Sequence, residues 1–556
     1  MFGTNEPSLS ILVSFLSLFI QTPPLPDVNL NEWWGPQHLK SLQDTSIRPF
    51  VVEFNITMIA DLRHRIRNTR QMTPPLEGTG SEYGFNTHEI PRWLRYWAEE
   101  YPFQDRVVEI NKYPQYKTNI QGLDIHFVRV VPKVSVGVQV VPLLVLHGWP
   151  SSYLDFYPMI PVLTRVSPHR DFVMEVIAAS MPGFAFSDGA VRPGFGVDKM
   201  AVVLRNLMHR LGHKKFYVHG ADWGSVVLSN MATFFPNEVL GYHSSMPTVM
   251  SPLQAFSRIV GDYFPSLVVR AEVADRMYPL SNFFNKIVRE SGYFHLQATK
   301  PDTVDIALTD SPAGLLAYYF EKISVGTRHH YRNRTDGGLE LHYTKEQLVD
   351  NLMVYWVSNS VATAGRIYAE SFGPRYFSLR MDSNILRESG YFHLQATKPD
   401  TVDIALTDSP AGLLAYYFEK ISVGTRHHYR NRTDGGLELH YTKEQLIDNL
   451  MVYWVSNSVA TAGRIYAESF GPRYFSLRMD SIPSSVPAWI LQAKYEISYI
   501  PPWMYKLKFP NLVNETVLDT GGHFLALELP LVLAADIDRA MVEFRRLQNK
   551  RKREEL

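Results

Sequence analysis

Residues 289–383 return as residues 387–481, and every position matches except Val349, which becomes Ile447. Stacked solenoid repeats drift apart and number three or more. A single pair this close reads instead as a recent exon duplication, or as one exon counted twice. Two copies of one segment cannot both fill the same place in a fold. The repeat region therefore reads as an addition to an ordinary enzyme-sized chain. Without one copy the rest of the sequence is regular.

Strand and helix signals alternate. Apolar, β-branched runs predict strands at Leu123–Val131, Val140–Leu146, Phe172–Ala178, Phe216–Val218, Val239–His243, Ala488–Gln492 and Thr516–Leu518. Helical periodicity appears over Trp223–Phe234 and Leu531–Lys550, and within the repeat over Ala313–Lys322 and Lys345–Val357. Such alternation implies an α/β fold with a mostly parallel sheet. A helical block inserted before the last strands predicts a lid over the strand ends. The expected division is a short apolar segment at 1–22, a lead-in region at 23–122, a first core part at 123–247, a helical lid at 248–481 carrying both copies, and a second core part at 482–556.

Composition narrows the function classes. Lys plus Arg and Asp plus Glu both total 55, so no net field points to nucleic acid. There is no cysteine, which removes disulfides, thiolate metal sites and cysteine nucleophiles. No metal or organic cofactor is called for. The apolar run Leu9–Ile20 is shorter than the roughly 20 residues that span a bilayer. It predicts either a degenerate membrane anchor or a buried or interfacial segment. Oligomeric state has no signature in the sequence.

Three Gly-rich motifs sit where the predicted strands end. Gly220-Ala221-Asp222-Trp223-Gly224 has the form of the nucleophile elbow, with aspartate in place of serine. Alone it equally describes an N-cap aspartate in a glycine turn. A carboxylate there attacks an sp³ carbon and leaves an alkyl ester, which calls for a strained ring or a leaving group on the substrate. His147-Gly148-Trp149-Pro150 follows an earlier strand, and the Trp149 and Trp223 N–H groups are the expected oxyanion hole. Gly521-Gly522-His523-Phe524 puts a histidine third in the order nucleophile, acid, base. Glu496 is the first carboxylate after the Ala488–Gln492 strand, and Asp519 is its rival.

Taken together with Asn31-Glu32-Trp33-Trp34-Gly35 and the ESGYFHLQATKPDT block, these motifs resemble the microsomal epoxide hydrolases, most closely the juvenile hormone epoxide hydrolases of insects. The likeness runs through nearly the whole chain. It implies an α/β-hydrolase fold, Asp222 as nucleophile, His523 as base and Glu496 as its acid. It also implies two lid tyrosines on the epoxide oxygen, matching Tyr293 and Tyr368. Both fall in the repeat, so Tyr391 and Tyr466 are twins of equal standing.

The implied reaction is hydrolysis of a small apolar epoxide, such as juvenile hormone or a xenobiotic, to a vicinal diol. The expected location is the cytosolic face of the endoplasmic reticulum (microsomal) membrane, held peripherally or by the N-terminus, and otherwise the cytoplasm. Two rivals are weighed: a haloalkane dehalogenase-like hydrolase, and a non-catalytic binder of apolar epoxide lipids inactivated by the duplicated lid. A version lacking residues 289–386 is expected to be more soluble and more active than the full chain. Loss of diol formation in that version would count against a redundant copy.

Overall fold

The computed structural model describes residues 24–135, 137–167, 171–246, 252–372, 390–470, 483–484, 487–496 and 502–554. The apolar run Leu9–Ile20 lies outside them. Nine strands are named here in chain order: β1 (Arg48–Phe50), β2 (Gln115–Ile120), β3 (Leu123–Val130), β4 (Gln139–Leu146), β5 (Phe172–Ala179), β6 (Phe216–Gly220), β7 (Val239–Ser244), β8 (Ala488–Gln492) and β9 (Leu512–Val517). Helix α1 is Asp222–Phe234. The first repeat forms α2 (Gly292–Thr299), α3 (Pro301–Asp310), α4 (Pro312–Thr327), α5 (Lys345–Ser358) and α6 (Val361–Phe372). The second forms α7 (Gly390–Thr397), α8 (Pro399–Asp408), α9 (Pro410–Thr425), α10 (Lys443–Ser456) and α11 (Val459–Phe470).

The chain divides into two compact units. The first comprises the described parts of Met1–Arg63, Tyr96–Ser291 and Glu340–Phe372. Its seven-stranded sheet has the order β1-β2-β3-β5-β4-β6-β7. Strands β5, β4, β6 and β7 run parallel, and β1 to β3 form an antiparallel flank. The inner strands are buried on both faces, which is why β4 reads as a continuous apolar run ending in the fully buried Leu144-Val145-Leu146. One core cluster gathers Val128, Val145, Tyr153, Val176 and Ala178, with Val354 of α5 packed among them. The second half of the first repeat is thus part of this unit's core.

Two strands of the flank are absent from the reading of the sequence. β1 has only three residues, and β2, QYKTNI, has mixed polarity. The overlooked signal is the two-residue turn between β2 and β3, Gln121-Gly122, where both residues have positive φ. β9 begins at Leu512, four residues before the expected Thr516, because Asn514 and Glu515 break the apolar run without breaking its pairing with β8.

The second unit comprises His64–Arg95, Gly292–Leu339 and the described parts of Gly373–Leu556. Among the described residues its strands β8 and β9 pair with each other alone, as a parallel two-stranded sheet. In the same unit the first halves of the two repeats pack reciprocally: α2 lies against α7, α3 against α9, and α4 against α8. Identical residues make each contact twice with roles exchanged. The Ser311 hydroxyl caps its own helix through the Gly314 N–H and donates to Asp408 at 2.6 Å. The Ser409 hydroxyl caps through Gly412 and donates to Asp310 at the same distance. A methyl group on Gly314 would collide with Ala405, and one on Gly412 with Ala307. This interface is self-complementary in the manner of a two-fold dimer.

The helices that follow are capped alike in both copies. Thr344 and Gln347 form a reciprocal capping box, as do Thr442 and Gln445, and Asn359 and Asn457 end their helices in the left-handed conformation. Loss of one helix cap costs roughly 1 kcal/mol. Ser311→Ala and Ser409→Ala should therefore lower stability by similar amounts of about that size in urea titration. Unequal losses would contradict the symmetry of the contact.

Candidate active site

In the first unit, β6 ends at Gly220 and α1 opens at Asp222, whose φ is +47°. A side chain rarely adopts this geometry, and here tight packing imposes it. A Cβ on Gly220 would lie 2.6 Å from the Gly224 carbonyl carbon, and one on Gly224 would lie 2.3 Å from the Leu146 oxygen. Both glycines of the elbow are thus steric requirements. Gly148 is a third, since a Cβ there would strike the Asp222 carboxylate at 2.2 Å.

The Trp149 N–H donates to Asp222 Oδ1 at 2.9 Å, and the Trp223 N–H also bonds this carboxylate. Burial pushes the Asp222 carboxyl above its ordinary value, and the two N–H donors oppose that shift. Two convergent backbone N–H donors on one buried carboxylate have the form of an oxyanion hole.

His147 was not singled out from the sequence. It is fully buried, and burial pushes its imidazole down to about 4. It is therefore neutral near pH 7. Its Nε2 accepts from the Met181 N–H at 3.3 Å, which leaves Nδ1–H to donate to the Gly148 oxygen at 3.0 Å. This bond holds the peptide whose N–H faces Asp222. The available signal was a histidine at the end of a buried strand, directly before the glycine loop.

Tyr368 of α6 is buried beside these groups. Its ring meets Trp223 edge-on at 4.7 Å and Trp149 at 5.9 Å. Tyr355 of α5 donates to the Ser151 carbonyl at 2.7 Å, and Asn351 donates to that of Pro150 at 2.6 Å. Helix α5 thus fixes the loop that carries the Trp149 donor.

In the second unit, Glu496 follows β8 and His523 follows β9. His523 Nδ1 and Glu496 Oε1 are 2.7 Å apart, so Glu496, not Asp519, is the imidazole's carboxylate. The Glu496 bond raises the His523 pKa, against a smaller opposing effect of burial. The histidine loop is pinned to the second repeat. The His523 N–H donates to the Gly424 oxygen at 2.8 Å, and the Gly522 N–H donates to Glu528, which also binds Arg426. Tyr391 and Tyr466 meet in this unit with ring centroids 6.0 Å apart, and their hydroxyls are hydrogen-bonded. Tyr293 belongs to the second unit and Tyr368 to the first, so the first copy divides its pair of tyrosines and the second keeps its pair together. Among the described residues no cluster of metal-ligating side chains occurs, and no helix is long and apolar enough to cross a membrane.

Residues 47–156 match the family described as the epoxide hydrolase N terminus, and residues 141–359 match the α/β-hydrolase fold. A juvenile hormone epoxide hydrolase from Bombyx mori is 44% identical, over 97% of this chain and 96% of its own length. The chain belongs to the epoxide hydrolase family. Epoxide hydrolase 1 of Oryctolagus cuniculus is 34% identical, over 91% of each chain. The crystal structure of the Bombyx mori enzyme, covering 94% of this chain and 100% of its own, superposes with a TM-score of 0.61. The fold of this epoxide hydrolase is thus the α/β-hydrolase fold, with a helical cap region.

The Glu496–His523 geometry gives a prediction for pH dependence. To act as a base His523 must be neutral, and the carboxylate holds the imidazole protonated to higher pH. Glu496→Gln should move the acid limb of the pH–rate profile to lower pH. The plateau rate should fall on the order of 10²-fold, because the imidazolium formed in the reaction loses its counter-charge. The two shifts are separable in one profile of kcat against pH. A limb that moved upward would exclude Glu496 as the source of the raised pKa.

Proposed function

We propose that this chain hydrolyses an apolar epoxide to a vicinal diol through an ester on Asp222. The observation that carries this reading is the Asp222 carboxylate, buried at the elbow with Oδ1 on the Trp149 N–H. The free carboxylate oxygen attacks an epoxide carbon, forming the C–O ester bond as the ring C–O bond breaks. A tyrosine hydroxyl protonates the released alkoxide, since a phenol of pKa about 10 is still protonated at neutral pH. Tyr368, packed against both tryptophans, is assigned this role, with a second hydroxyl from Tyr293, Tyr391 or Tyr466.

His523, oriented by Glu496, then takes a proton from water, whose oxygen adds to the ester carbonyl of Asp222. The Trp149 and Trp223 N–H groups hold the oxyanion. Collapse frees the second diol oxygen, and the two protons of the water end on that oxygen and on the phenolate. The 44% identity to a juvenile hormone epoxide hydrolase favours that hormone over a xenobiotic as substrate. The resemblance to the microsomal epoxide hydrolases, with the kinship to epoxide hydrolase 1, favours the cytosolic face of the endoplasmic reticulum, and the cytoplasm is the alternative.

The test pairs two variants. Asp222→Asn should give neither diol nor adduct. His523→Gln should accumulate a species heavier than the protein by one substrate mass, with turnover reduced on the order of 10²–10⁴-fold. Halide release from an alkyl halide without diol formation would favour a dehalogenase. Saturable binding of an epoxide with no adduct in either variant would favour a binder.

A further inference from the structure

Helices α5 and α10 have the same sequence except at one position, and the surroundings of one face differ. α5 is docked on the rest of its unit. Its Asp350 takes a two-pronged bond from Arg106, with distances of 3.0 and 2.5 Å, and a third bond from the Tyr101 hydroxyl at 2.7 Å. Glu346 accepts from the Tyr96 hydroxyl at 2.8 Å, and the Trp97 indole N–H points at the Met353 sulfur at 3.2 Å. Val349, Met353 and Val354 are 0% exposed.

The twins of these residues in α10 face solvent. Ile447 is 40% exposed, Met451 43% and Val452 65%, and Glu444 and Asp448 are exposed with them. The opposite side of α10 is occupied, because Leu446 is buried against Ile421 and Tyr441. The open strip is therefore the docking face of α5 without its receptor.

The chain holds two ligands for one receiving surface, made of Tyr96, Trp97, Tyr101, Arg106 and the carbonyls of Pro150 and Ser151. Tethering both ligands to that surface makes their competition intramolecular, so neither is diluted by protein concentration. The single difference between the copies falls on the contested face. Val349 is fully buried one turn before Met353, and Ile447 would bring one more methylene into that filled space. Extra methylenes in a packed core are destabilising.

We propose that α10 is an alternative occupant of the α5 surface within the same chain, and that the Val349/Ile447 pair selects α5. The bias set by one added methylene is on the order of tenfold. The exchange rests on the repeat and on burial, not on the ester chemistry above, so its test is independent of turnover.

The absence of cysteine makes the measurement clean. Lys345 Nζ lies 5.1 Å from the Tyr96 ring centroid, at the edge of the docked face. Tyr96→Cys with Lys345→Cys, bridged by a bismaleimide, reports the α5-docked state. Tyr96→Cys with Lys443→Cys reports the α10-docked state. We expect an internal 96–443 bridge at roughly a tenth of the 96–345 yield. The yield should rise about tenfold when Val349→Ile and Ile447→Val are introduced together. Asp350→Lys, which sets a cation against Arg106, should drive the same rise, and adding Asp448→Lys should abolish it. Three results overturn the proposal: no 96–443 bridge in any background, a bridge insensitive to the exchange of Val and Ile, or a bridge found only between chains. A loss of folding in Asp350→Lys equal to that of the double variant overturns it too.

Discussion

The carboxylate of Asp222 is the point on which the first unit converges. It stands in a left-handed conformation on a turn that tolerates no Cβ at Gly220 or Gly224, facing a loop that tolerates none at Gly148. Burial makes its charge costly, and two backbone N–H groups offset that cost. Those donors are themselves held from behind. The neutral His147 fixes the Gly148 peptide, and α5 grips the carbonyls that follow Trp149. Strand order, glycine placement and a buried imidazole all serve one oxygen atom.

Much of this was legible in the sequence, because backbone requirements leave few choices of residue. A sharp strand-to-helix turn needs glycine at fixed spacing, and Gly220, Gly224 and Gly148 mark it. Likewise Gly521 takes a positive φ of +83° just before the histidine, and a two-residue step from there places His523 beside Glu496. The less legible parts depend on partners distant in sequence. β1 is too short to carry a pattern, and His147 looks like any of 19 histidines until its two bonds are seen.

The repeat was beyond sequence reading in a deeper sense. Tyr368 and Tyr466 have identical neighbours along the chain for many residues on either side, so no local rule separates them. Tertiary surroundings do: one meets Trp223 and Trp149 edge-on, and the other is bonded to Tyr391. The same holds for Asp350, which is ion-paired, and Asp448, which is exposed. Propensity and capping are equal in both copies, so burial alone assigns their different roles.

The attachments of the two copies show a division of labour. The stretch around Gly424 and Arg426, from the front half of the second copy, seats the histidine loop. Helices α5 and α6, from the back half of the first, brace the loop and the tryptophans around Asp222. No single residue of the repeat is asked to serve both ends. Each copy carries the residues of both handholds, front half for the imidazole and back half for the carboxylate, and uses one of them. One set of grips is thus shared between the two copies, and the strip of α10 that has no such use faces the water.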